Sequence, residues 1–195
     1  MGMIRAFIAV DIPPVIQKAI QQHIDYLRKA IGDSVRWVPV QNIHLTLKFL
    51  GDVSPANVEI LTQMLRAEAD SCLAFDFSVG GLGSFPSPRR TRVLWVGVQA
   101  PAELEALQRG VESACVRLGY ESDQRPFSPH LTLGRVREHV TASDQRRIQK
   151  TLEETTIDSL GTARVDSVQL YKSDLKPGGP VYTKVFTAPL HKSMR

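Results

Sequence analysis

The sequence predicts an α+β fold of two similar lobes that face each other, built on a duplicated strand–helix–strand–strand unit. Three observations predict it. The tetrad His-Leu-Thr-Leu stands at residues 44–47 and again at 130–133, an offset of 130 − 44 = 86 residues. Each copy opens a stretch with the same order of period-2 and period-3.6 apolar patterns, about 43–98 and about 129–187. The chain has 195 residues, 43% of them hydrophobic, and so forms one bilobal domain over 1–195 with a real core.

The elements follow in order. Ile4 to Val10 reads as a strand. Pro13 and Pro14 suit the first turn of a helix whose Ile16, Ile20, Ile24 and Leu27 recur at helical spacing and which ends near Gly32. Val35–Val38 is a short strand, and Ile43–Leu50 is a longer one stopped by Gly51. Ser54-Pro55 starts a helix through Val58, Leu61, Leu65 and Ala69. Phe75–Val79 reads as a strand, and the Gly/Pro/Ser-rich stretch Gly80–Pro88 reads as a loop. Arg92–Val98 is a strand, Pro101–Leu118 a helix, and Pro129–Val136 a strand. Thr141–Thr155 is a helix with Asp144 in its first turn. Ala163–Leu170 and Val181–Thr187 are the last strands, joined through a turn at Lys176–Pro180. The tail after Pro189 reads as polar and loose.

Composition narrows the function classes. The apolar run Ala6–Val10 is closed by Asp11 and is too short to span a bilayer. With no secretory signal pattern either, the chain is read as cytoplasmic. Cys72 and Cys115 each lie in an apparently helical segment and read as buried thiols. No Cys-x-x-Cys or His-x-x-x-His spacing occurs, so no dedicated metal is expected. A net charge of +4 permits an anionic partner without requiring one.

The repeated tetrad carries the chemistry. Side chains alternate along a strand, so His44 and Thr46 share one face while Leu45 and Leu47 turn to the core. The same holds for His130 and Thr132 against Leu131 and Leu133. Two imidazoles and two hydroxyls around one groove suit phosphodiester cleavage without a metal. A neutral histidine takes a proton from water, a protonated one supplies the leaving oxygen, and threonine hydroxyls hold the phosphate oxygens. The residues alone do not say which histidine is acid and which base.

At this point the sequence resembles a known family. Paired His-x-Thr motifs resemble the 2H phosphoesterases. The contexts Trp37-Val38-Pro39 and Asn42-Ile43-His44-Leu45-Thr46-Leu47-Lys48-Phe49-Leu50-Gly51, with Phe127-Ser128-Pro129-His130-Leu131-Thr132-Leu133-Gly134-Arg135, are similar to the RNA 2′,3′-cyclic phosphodiesterase branch, also described as bacterial and archaeal 2′-5′ RNA ligases. The resemblance implies antiparallel sheets lining a central cleft. It implies hydrolysis of RNA 2′,3′-cyclic phosphate ends to 2′-phosphates, with weak reversible 2′-5′ joining and no cofactor. It also implies that His130 is the base and His44 the acid.

The supporting residues carry alternatives. Arg135 binds phosphate if a bulge or bend at Gly134 turns it to the histidine face; otherwise it makes a surface salt bridge. Lys48 shares the parity of His44 and is either a charge at the groove rim or an exposed strand-end lysine. Phe85 either stacks an RNA base or anchors its loop, and Arg92, with Arg89 and Arg90, is expected to meet backbone phosphates. Phe7, Trp37 and Trp95 read as core, Tyr182 and Ser173 as neighbours of the cleft, and His23, His139 and His191 as surface histidines. The partners expected are RNA 3′ ends or cyclic-phosphate nucleotides, with no membrane and no obligate protein partner, the chain acting as a monomer. Alternative readings are a phosphodiesterase of small cyclic nucleotides or 2′-5′ oligonucleotides, and an RNA-end binding protein without turnover. A primary ligase is disfavoured by the lack of a P-loop.

Overall fold

Strict alternation in Ile4–Asp11 (β1) turns Ala6, Ile8 and Val10 into the main core and leaves Phe7 and Ala9 on the opposite face. That split is repeated along the chain and sets the architecture of the computed structural model, which describes residues 2–191. The other strands are Val35–Trp37 (β2), His44–Val53 (β3), Phe75–Phe85 (β4), Val93–Gln99 (β5), His130–Val136 (β6), Gly161–Val165 (β7), Ser167–Lys176 (β8) and Gly179–Pro189 (β9). The helices are Pro14–Ile31 (α1), Pro55–Asp70 (α2), Ala102–Arg117 (α3) and Ala142–Glu154 (α4).

The helices begin where the sequence marks them. The Ser54 hydroxyl accepts a hydrogen bond from the Asn57 amide with Pro55 in the first turn. Thr141 and Asp144 cap each other's backbone amides in a reciprocal capping box. Among the described residues no helix is long and apolar enough to cross a membrane.

Two antiparallel sheets result, in the orders β3-β1-β8-β9 and β2-β6-β5-β4-β7. Helices α2 and α3 cover the first; α1 and α4 pack together over the second. The hairpins are exchanged. Strands β4 and β5 follow β3 in the chain yet pair with β6, while β8 and β9 follow β6 yet join the sheet of β3. Each histidine strand therefore shares a sheet with strands from the other half of the chain, and one continuous core ties the lobes together.

Several local expectations are corrected. The strand expected over Ala163–Leu170 is two strands. The chain leaves the second sheet after Val165 and enters the first at Ser167, a step that apolar alternation across Asp166 does not reveal. The expected loop from Gly80 is strand as far as Phe85. Its glycines serve packing: a Cβ on Gly83 would lie 2.2 Å from the Trp95 ring, and Gly80 faces the Asp158 carbonyl. The tail is held as far as it is described, with Leu190 buried and His191 bridged to Leu73; residues 192–195 of that expectation lie outside the described residues.

Candidate active site

Both histidine strands are bent at the same place. Along β3, Thr46 pairs with Ala9 and Lys48 with Ile8, which leaves Leu47 as an extra residue. Along β6, Thr132 pairs with Trp95 and Gly134 with Leu94, which leaves Leu133 extra. A bulge of this kind reverses the parity of everything after it. His44, Thr46 and Phe49 consequently face one way, and so do His130, Thr132 and Arg135. The bulge that Arg135 requires is present, one residue before Gly134.

The same reversal corrects the reading of Lys48. It points inward and is 1% exposed, neither at the groove rim nor in solvent. Its ammonium reaches Glu112 at 2.8 Å and Asp123 at 3.4 Å and donates to the Glu121 carbonyl at 2.7 Å. The lysine ties β3 to α3 and to the segment that leads into β6.

Strands β3 and β6 meet between the sheets, and there a cleft of about 260 Å³ opens. His44, Thr46, His130, Thr132 and Arg135 all line it. The wall also includes Arg36 and Trp37 of β2, Asn42, Phe49 of β3, and Tyr182 of β9. Among the described residues no three His, Cys, Asp or Glu side chains converge as a metal site.

The two imidazoles are held alike. His44 Nδ1 lies 2.8 Å from the carbonyl oxygen of Asn42, and His130 Nδ1 lies 2.6 Å from that of Ser128, each two residues upstream. A carbonyl only accepts, so each Nδ1 donates and each Nε2 is left with its lone pair toward the cleft. The Asn42 side chain in turn donates to the Pro180 carbonyl at 3.0 Å, which pins the β8–β9 hairpin beside the site.

Their surroundings differ. Phe7 stacks flat on His44 and Tyr182 meets it edge-on, centroids 4.6 and 5.3 Å away. Burial lowers the His44 pKa to about 4, opposed by the Asn42 carbonyl and by the charge of Asp11. His130 is also lowered, first by burial, with Ser128 opposing and Arg135 adding to the effect. Tyr182 is raised by burial, with Arg135 opposing. Behind His44, Tyr171 and Lys184 both donate to the Asp11 carboxylate at 2.5 Å.

Two of the expected substrate-binding residues lie outside the cleft wall. Phe85 does not line the cleft; its ring packs edge-on against His130 at 4.9 Å and beside Trp95 at 5.2 Å, so it supports the imidazole from behind. Arg92 opens onto a separate hollow with Arg89, Arg90 and the start of α4, because it lies one residue before β5 on the helix side of the sheet. Conversely, Phe7 and Trp37 are more than core: one backs His44 and the other is on the cleft wall.

Known proteins of the same shape and sequence pattern bear on this arrangement. A family model described as the 2′-5′ RNA ligase superfamily matches residues 15–177. The RNA 2′,3′-cyclic phosphodiesterase of Methanothermobacter thermautotrophicus is 34% identical over 92% of this chain and 95% of its own. That of Thermotoga maritima is 30% identical over 93% of both. Among solved structures, a protein of Thermus thermophilus superposes with a TM-score of 0.81 at 25% identity, over 97% of this chain and all of its own. E. coli LigT complexed with 3′-AMP superposes with a TM-score of 0.76 at 28% identity, over 96% and 98% of the two chains.

Proposed function

Since the chain belongs to the 2′-5′ RNA ligase superfamily, we propose that it is an RNA 2′,3′-cyclic phosphodiesterase that opens cyclic phosphate ends to 2′-phosphates by two-histidine acid/base catalysis. The observation that carries this reading is the pair of Nε2 atoms, one from each repeated tetrad, turned into one cleft by matching bulges and matching carbonyl contacts.

The phosphorus of the substrate sits between the imidazoles. His130 Nε2 takes a proton from water as the water oxygen bonds to phosphorus. The bond from phosphorus to the ribose 3′ oxygen breaks, and His44 gives that oxygen its proton. Thr46, Thr132 and Arg135 hold the non-bridging oxygens, and no metal or other cofactor is required. The assignment is supported by the charges nearest each ring. Beside the larger effect of burial, which lowers the pKa of both rings, Arg135 further disfavours a proton on His130, which suits a base, and Asp11 favours one on His44, which suits an acid. With its pKa lowered to about 4, the His44 imidazole is almost wholly neutral in the free enzyme at neutral pH. The anionic phosphate therefore supplies part of the catalyst, by raising the proton affinity of the imidazole beside it.

Phe49, 64% exposed in the cleft at the place Arg135 holds in the other strand, offers a terminal base a stacking face. Free, buried Cys72 and Cys115 fit a reducing cytoplasm, where the enzyme is proposed to act. Weak 2′-5′ joining is the same step with an RNA 5′ hydroxyl in place of water.

The test is hydrolysis of an oligonucleotide ending in a 2′,3′-cyclic phosphate, in EDTA, by the wild type, His44→Ala and His130→Ala. Conversion to a 2′-phosphate end, lost by at least about 100-fold in each variant, is expected. Activity that needs metal, or survives both substitutions, overturns the mechanism.

A further inference from the structure

Three arginines of the sequence, Arg89, Arg90 and Arg92, have no part in the cleft. They sit on the short turn between β4 and β5 and line a separate hollow of about 250 Å³ with Glu138, Val140 and the first residues of α4. All three are exposed. Among the described residues none of them makes an ion pair, and Glu138 is the one acidic side chain on the wall.

The turn that carries them is rigidly built. Thr91 is fully buried, and its hydroxyl donates to the Pro88 carbonyl at 2.9 Å. Gln145 of α4 donates to the Thr91 carbonyl at 3.2 Å. The Arg92 amide donates to Phe85, and the Arg92 carbonyl accepts from Val136 at 2.9 Å. Like charges gathered on a fixed turn repel one another, and this arrangement is stabilised by an anion that spans them.

Its position names the anion. Arg36, Arg135 and Val93 are direct neighbours across β2, β6 and β5, and Arg92 is the residue next to Val93. The patch therefore begins one residue beyond the cleft wall that carries Arg135. The cleft is of a size for the terminal nucleotide, so the rest of an RNA strand has to leave over a rim. We propose that Arg89, Arg90 and Arg92 bind the backbone phosphates of the single-stranded RNA immediately 5′ of the cyclic phosphate. Guanidinium groups suit this contact, which reads charge and spacing without base sequence. The inference rests on the proposed hydrolysis and adds a preference for oligonucleotide over mononucleotide substrates.

The experiment compares the wild type and the double variant Arg89→Gln/Arg90→Gln on two substrates: a nucleoside 2′,3′-cyclic phosphate and a single-stranded oligonucleotide with the same cyclic end. The wild type is expected to favour the oligonucleotide. The double variant is expected to lose about tenfold in kcat/KM on the oligonucleotide, with a shallower dependence on salt by about 0.7 per lost phosphate contact, while its mononucleotide kinetics stay those of the wild type. Arg89→Lys/Arg90→Lys is expected to recover part of the loss. Oligonucleotide kinetics that match the wild type in the Gln variant would assign the patch to another partner and overturn the inference while leaving the hydrolytic reading intact. An equal loss on both substrates overturns it as well, since that reports a disturbed cleft. If the wild type turns over neither substrate, the proposed function itself fails.

Discussion

Phe7 lies flat against the imidazole of His44, ring centroids 4.6 Å apart and planes 22° from parallel. This contact, with Tyr182 at the ring edge, keeps water from one face of the histidine proposed as the acid. The consequence is a pH–rate profile displaced from that of ordinary histidine. Burial lowers both imidazoles, His44 to about 4. Since kcat/KM reports the free enzyme, its alkaline limb is expected below about pH 6.5. The limb of kcat is expected at higher pH, because bound phosphate favours the protonated ring. Measuring both profiles checks this; a kcat/KM limb at or above neutrality sinks it.

The same burial makes the fold sensitive to acid. His44 titrates near its ordinary 6.5 in the unfolded chain and near 4 in the folded one, so the unfolded chain binds more protons between those values. Stability that is present above 6.5 is therefore lost as pH falls toward 4, by on the order of 3 kcal/mol from this residue. His130 contributes in the same direction. Urea midpoints of His44→Gln, followed down in pH, should fall less steeply than those of the wild type. Parallel curves would show that His44 is not what titrates.

Lys48 holds its charge inside the protein only because Glu112, Asp123 and the Glu121 carbonyl surround it. Removing the lysine strands the Glu112 carboxylate, which also accepts the Asp123 amide at 2.9 Å. Lys48→Ala is expected to cost about 3 to 5 kcal/mol, and Lys48→Met with Glu112→Leu to cost less than that single change. Chemical denaturation of the two variants decides it. A loss below about 1 kcal/mol for Lys48→Ala would place the pair with weak surface bridges.

These residues also show where sequence reading stops. The histidine pair was legible because the tetrad is repeated whole, and alternation correctly sent Leu45, Leu47, Leu131 and Leu133 to the core. The need for a bulge before Arg135 was legible because parity otherwise points it away. A matching bulge governs Lys48, whose partners lie 64 and more residues away in the chain and leave no local trace. The carbonyls of Asn42 and Ser128 were invisible for a different reason: every residue offers one, so no side chain advertises it. Arg92 stands outside the cleft because of its position in the sheet. It is the residue next to Val93, and a single step along a strand is enough to turn a side chain to the opposite face.

Gly134 and Lys48 hold equivalent places, each four residues after the histidine of its tetrad, and the difference between them follows from their neighbours. Strand β3 is the edge of its sheet, so a long side chain can turn inward beside α3. Strand β6 is flanked by β2, and a Cβ on Gly134 would lie 2.6 Å from Val35 Cγ1 and 3.1 Å from the Trp37 ring. Gly134→Ala must push β2 outward, and β2 brings Arg36 and Trp37 to the cleft beside Arg135. A stability loss of about 1 to 3 kcal/mol is expected from the overpacking. The kinetic signature should be selective. His44 and His130 keep their carbonyl contacts, so KM rises several-fold while kcat falls less. If kcat falls and KM does not, the glycine acts on the imidazoles, and the wall formed by β2 has no part in holding the substrate.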